Sequence, residues 1–124
     1  MKTDRPIYLS LTQFAWPLAA MASIVHRITG ALIFVGIAFL LYLLDAALSS
    51  EAGFAHARAL LDAPLAKLCL LAVVAMLIYH LVAGIKHLLL DFHVGDSLAG
   101  GRHAAQLTIV VSAVLIGVAG VWLW

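Results

Sequence analysis

Two groups of polar residues interrupt otherwise apolar stretches of this 124-residue chain. The first is Ser23, His26, Arg27 and Gly30, within S-I-V-H-R-I-T-G. At helical spacing Ser23, Arg27 and Gly30 share one face, and His26 is adjacent. A hydroxyl, an imidazole and a guanidinium gathered in this way can bind an anionic or carbonyl-bearing group. The second group is His80, Gly84, His87 and Asp91, at i, i+4, i+7 and i+11 on one helix face. Imidazole is a good iron ligand, and haem is commonly held through an axial histidine. Gly84 removes a side chain one turn from His80, which leaves room for a flat ring. His80 and His87 are about 10 Å apart along one helix, too far to be trans ligands of a single iron. A six-coordinate haem therefore needs its second ligand from elsewhere, most simply from another chain. Plainer readings compete: Arg27 can snorkel to lipid phosphates, and His80 can hydrogen-bond a neighbouring helix. Ionisable residues inside apolar spans are costly and usually face a partner, a cofactor or water, so the clustering favours function.

The elements that must position these residues are membrane spans. The chain is 65% hydrophobic and only 10% charged, against roughly half and about a quarter in soluble domains. A soluble enzyme, a disordered chain and a disulfide-stapled domain are excluded by that balance, and Cys69 is the single cysteine. The net charge of +1 offers no field for nucleic acid. No charge interrupts Ile28–Leu44, so a first helix of about 18–48 is expected. A second, about 64–88, carries the apolar run between Lys67 and Lys86, with Pro64 in its first turn. A third, about 104–124, has no charge and ends with the belt residues Trp122 and Trp124. Each is long enough for the roughly 20 residues a membrane crossing requires. The expected fold is an all-α membrane protein, residues 1–124 forming one membrane-anchor domain with three transmembrane helices. Residues 49–63 and 88–103 read as loops.

Three spans place the termini on opposite sides. Lys2, Arg5, Arg27, Lys86 and Arg102 fall on the N-terminal side, against Arg58 and Lys67 on the other. This imbalance favours a cytoplasmic N-terminus and a periplasmic C-terminus. No apolar signal-peptide region follows Lys2 and Arg5. Ile7, Leu9, Leu11, Phe14 and Trp16 instead favour a segment resting on the inner membrane surface. The first helix starts where the second ends, so Ser23, His26 and Arg27 are expected at a depth near His80 and His87. Iron at His80 would then direct the haem propionates toward the inner surface, where Arg27 or an imidazolium can meet them.

With S-x-x-H-R-x-T-G at Ser23–Gly30, H-x-x-x-G-I-K-H-x-x-x-D at His80–Asp91 and Arg5–Pro6 near the start, the chain resembles the cytochrome b556 membrane-anchor subunits of bacterial succinate dehydrogenase. The resemblance runs essentially end to end. It departs from the family pattern at Lys86, usually Arg, and at Leu90, usually aromatic or Met. Lys keeps the charge and loses the bidentate fork. The resemblance implies a haem b whose axial ligand from this chain is His80, the other axial histidine lying on a second membrane-anchor subunit that completes the bundle. It implies a propionate region at His26 and Arg27, and a ubiquinone site with Ser23 and Arg27. It also implies an iron–sulfur subunit and a flavoprotein subunit as partners, alongside lipid, at the bacterial inner membrane. Succinate itself would be oxidised on another subunit.

The residues suit that chemistry. A quinone is a flat apolar head with two carbonyl oxygens. Ser23 can donate a hydrogen bond to one, and Arg27 can stabilise negative charge that develops on reduction. Two alternatives are an anchor of a fumarate-reductase-type complex and a small proton-relay or transport subunit using His80, His87 and Asp91. Transporters commonly carry more spans or inverted repeats, and this chain has neither. A structural anchor whose histidines only pack is a further alternative.

Overall fold

The computed structural model describes residues 15–124. They form four helices: α1 (Leu18–Ser49), α2 (Glu51–Asp62), α3 (Pro64–Asp91) and α4 (Leu98–Leu123). α1, α3 and α4 are each long and apolar enough to cross a membrane, at 32, 28 and 26 residues. The expected surface segment lies, for residues 1–14, outside the described residues, as does the Arg5–Pro6 pair.

α3 runs antiparallel to both α1 and α4. Along α1 the α3 partners descend: the Tyr79 hydroxyl donates to the Ala22 carbonyl at 3.0 Å, and Gly36 faces Val73. Along α4 they descend likewise, with Lys86 near Ala104 and Thr108 and Leu71 near Gly120. The α1 seam is narrow. Its buried residues, Ala22, Thr29, Gly36 and Leu43, recur every seven positions. A Cβ on Gly36 would come within 3.0 Å of Val73, so the small residue lets the helices approach closely, as membrane helix pairs require. Only 17% of the most apolar stretch of α1 and 11% of that of α3 is buried within the chain. The rest of their surface is open to lipid or to other subunits.

Both expected loops are shorter than their composition implied. Residues 51–62 are the helix α2, because the Ser50 hydroxyl accepts the Gly53 amide at 3.0 Å as an N-cap and Glu51 sits in the first turn. Such a cap satisfies an amide that has no partner within the helix. Phe54, Ala57 and Leu61 then share one face, and Ala57 is buried. Likewise Ser97 caps α4 through the Gly100 amide at 3.0 Å, so α4 begins at Leu98 rather than near Ala104. Gly100 and Gly101 disfavour helix by roughly 1 kcal/mol each relative to Ala. The cap overrides them, and a Cβ at Gly100 would meet the Gly95 carbonyl at 2.5 Å. α3 continues to Asp91 and ends in a Schellman turn. Val94 N–H donates to the Leu89 carbonyl and His93 N–H to the Leu90 carbonyl, both at 2.9 Å, with His93 in the left-handed region at φ 60°. Cys69 is exposed on α3.

Candidate functional site

The first turns of α1 and the last turns of α3 bring the two polar clusters together. The His26 and His80 rings stack with centroids 4.1 Å apart and planes 15° from parallel. His87 lies on the other side, its ring 5.1 Å from His26 and tilted by 45°. Ser23 is half-buried one turn before His26, beside the Tyr79–Ala22 bond, and Arg27 is exposed. Asp91, at the end of α3, is exposed.

The protonation of His80 follows from its partner. Its Nδ1 lies 3.0 Å from the His26 carbonyl oxygen. A carbonyl only accepts, so Nδ1 carries a proton, and in the neutral imidazole the lone pair is then on Nε2. Thr29 Oγ1 donates to the same carbonyl at 2.9 Å and stands 3.4 Å from His80 Nδ1. Nε2 has no hydrogen-bond partner among the described residues. A backbone acceptor that fixes the tautomer and orients the ring is how ligating histidines are commonly supported.

Gly30 makes room for this ring. A Cβ there would stand 2.9 Å from His80 Cε1, tighter than real Cβ contacts allow. The space beside Gly84 belongs to another imidazole, with His26 Nε2 at 3.6 Å. Gly84, expected to leave room for a flat ring beside His80, thus has His26 next to it, and Gly30 on the facing helix accommodates the His80 ring itself. The Thr29 hydroxyl, the Tyr79 clamp and the His26 carbonyl were not foreseen. Thr29 falls inside the S-x-x-H-R-x-T-G motif, its only sequence signal, whereas Gly30 also shares a helix face with Ser23 and Arg27, which does not reveal that it opposes His80. A backbone carbonyl carries no signal at all.

Two features bear on a haem group. His26 Nε2 is buried and has no hydrogen-bond partner among the described residues. A buried, unpartnered imidazole nitrogen beside an oriented histidine fits a site completed by polar groups from outside the chain. His80 offers an imidazole lone pair of the kind haem iron takes. The residues therefore fit the group. Lys86, next to His87 in sequence, lies on the side of α3 that faces α4. It is only 6% exposed and lines a cavity of about 290 Å³ between α3 and α4 with Leu107 and Thr108.

Three spans of alternating direction bearing a polar cluster at one membrane end define a multi-pass α-helical membrane subunit, one that leaves most of its surface for other chains and lipid. Residues 1–119 match the family described as succinate dehydrogenase/fumarate reductase transmembrane subunit. The chain is similar to the succinate dehydrogenase cytochrome b556 subunit of Coxiella burnetii (strain RSA 493 / Nine Mile phase I), 38% identical over the full length of both chains. It is 35% identical to the subunit of that name from Paracoccus denitrificans, over 90% of this chain and 86% of that one. The chain belongs to the succinate dehydrogenase/fumarate reductase transmembrane subunit family, and its role is that of a membrane anchor.

Proposed function

We propose that residues 1–124 form one membrane-anchor domain of a succinate-oxidising complex that passes electrons to ubiquinone. In this reading His80 is an axial ligand of haem b. Ser23 and Arg27 hold the quinone head, and His26 and Arg27 face the propionates. The observation that carries it is the His80 ring, with Nδ1–H held by the His26 carbonyl and Nε2 free to bind iron. A bound haem b supplies a one-electron redox centre. The Ser23 hydroxyl donates to one quinone carbonyl and sets the ring's position. The Arg27 guanidinium, exposed on α1, balances charge arriving on the quinone oxygen. The partners are a second anchor subunit supplying the other axial histidine, an iron–sulfur subunit and a flavoprotein subunit.

An optical difference spectrum of the assembled complex, dithionite-reduced minus oxidised, tests this reading. A b-type α band and a shifted Soret band are expected. A complex that contains this chain, turns over succinate and has neither band overturns the haem assignment.

The same reading places the chain in the bacterial inner membrane, with the histidine end facing the cytoplasm. Lys86 is buried, and the imbalance does not depend on it. Lys2, Arg5, Arg27 and Arg102 still outnumber Arg58 and Lys67, which favours that orientation. Cys69 is exposed, so labelling starts from Cys69→Ser. Ala52→Cys in that background should react with a membrane-impermeant thiol reagent from the periplasmic side. Reaction from the cytoplasmic side alone reverses the topology.

A further inference from the structure

The end of the bundle opposite the histidines holds a second cavity, of about 590 Å³, among α1, α2, α3 and the end of α4. That volume falls within the roughly 300–1,000 Å³ range of small-ligand sites. Its walls are apolar, with Leu40 and Leu44 from α1, Phe54 from α2 and Leu70 from α3. Three charged residues also line it: Arg58, Asp62 and Lys67. None of the three forms an ion pair among the described residues, where the one ion pair is His93 with Asp96. Two cations against one carboxylate leave the cavity with a net positive charge. Its depth is set by tryptophan. Trp122 is a lining residue, and Lys67 Nζ stands over the Trp124 ring, 5.9 Å from its centroid. Tryptophans at the end of a span mark the headgroup layer.

We propose that this cavity binds one anionic phospholipid. Its headgroup phosphate would lie against Arg58 and Lys67, and an acyl chain would lie along the Leu40, Leu44 and Leu70 wall. The two ends of the ligand match the two parts of the site. The phosphate meets uncompensated positive charge at headgroup depth, where each basic residue strengthens binding to an anionic lipid. The chain meets aliphatic walls that continue into the bilayer. A quinone also combines a polar head with an apolar tail, but it is neutral and gains little from two cations. The α2 helix, capped by Ser50, forms one wall through Phe54 and carries Arg58, so this short helix has a role beyond joining two spans. The inference is independent of the haem and quinone reading, since it uses no residue of that site.

The test uses the whole complex, purified in mild detergent and reconstituted in nanodiscs of phosphatidylethanolamine with a minor fraction of phosphatidylglycerol. Native mass spectrometry after release from the disc reads the retained lipid. Wild-type complex should retain phosphatidylglycerol above its share of the bilayer. Arg58→Gln and Lys67→Gln should each lower that retention about fivefold, while Lys67→Arg keeps it. Ala47→Phe fills the cavity with both cations in place and should also displace the lipid. It therefore decides the matter if the charge variants fail to assemble. Retention unchanged in Ala47→Phe, or phosphatidylethanolamine held as well as phosphatidylglycerol, overturns the proposal. So does retained ubiquinone, in place of lipid, that disappears in these variants. The difference spectrum should be unaltered throughout, which separates this site from the histidine cluster.

Discussion

His80→Leu is expected to abolish the low-spin, six-coordinate b-type signature of the assembled complex. The imidazole is pinned on three sides: by the His26 carbonyl at 3.0 Å, by the His26 ring at 4.1 Å, and by the bare Cα of Gly30. Leucine fills similar space and offers no lone pair. Two companion variants separate ligation from support. His26→Ala removes the stacked ring and keeps the carbonyl that orients His80, so the b-type spectrum should persist with altered band positions. Gly30→Val places methyl groups against His80 Cε1, where even a Cβ stands at 2.9 Å. It should broaden or shift the bands without removing the ligand. Optical and low-temperature magnetic spectra of the three complexes check the series. An unaltered bis-imidazole signal in His80→Leu refutes the assignment and passes the role to His26 or His87.

Arg27→Leu should slow succinate-to-quinone turnover by roughly tenfold to 150-fold, the kinetic equivalent of about 1.5–3 kcal/mol for a hydrogen bond to a charged group. Ser23→Ala removes one neutral hydrogen bond, about 0.5–1.5 kcal/mol, so its slowing should be the smaller. The difference in kind matters more than the size. A hydroxyl positions the quinone equally before and after reduction, whereas a guanidinium interacts more strongly as negative charge builds, and only such differential interaction lowers a barrier. Succinate oxidation with a soluble electron acceptor should stay intact in both variants, because on the proposed reading the succinate site lies on another subunit. Normal quinone turnover by a normally assembled Arg27→Leu complex returns Arg27 to a lipid or propionate role.

The spans were legible because lipid imposes a simple rule: backbone polar groups must be satisfied within the segment. Charge-free runs such as Ile28–Leu44 and Ala104–Trp124 therefore declare themselves. The clusters were legible for the complementary reason, since His80 inside an apolar run, or Arg27 at the edge of one, is costly without a task. The amphipathic α2 was missed. Its composition resembles a loop, and the Ser50 cap that starts it is one side-chain bond to the Gly53 amide. The start of α4 is displaced for a related reason: the charge-free run begins only at Ala104, whereas the Ser97 cap starts the helix at Leu98. Inside the site, periodicity identified the face carrying His80, Gly84 and His87, but not which glycine opposes which ring. That depends on the rotation of α1 against α3, a property of two helices that neither sequence segment contains. The same limit applies to Lys86. It is adjacent in sequence to His87, yet it turns about 100° around the helix toward α4.

Arg27 comes just before the charge-free run of α1, and Ser23 and His26 lie nearer still to the start of that helix. On the proposed reading, quinone chemistry then takes place near one surface of the bilayer rather than at its midplane. A charge that crosses the whole membrane exchanges about 2.3 kcal/mol with each 100 mV of transmembrane voltage. A proton drawn into this site from the adjacent water, to meet an electron arriving from subunits on the same side, crosses little of that field. The chain would accordingly let succinate oxidation load the quinone pool without opposing or building the membrane voltage, leaving energy storage to the enzymes that reoxidise the quinol.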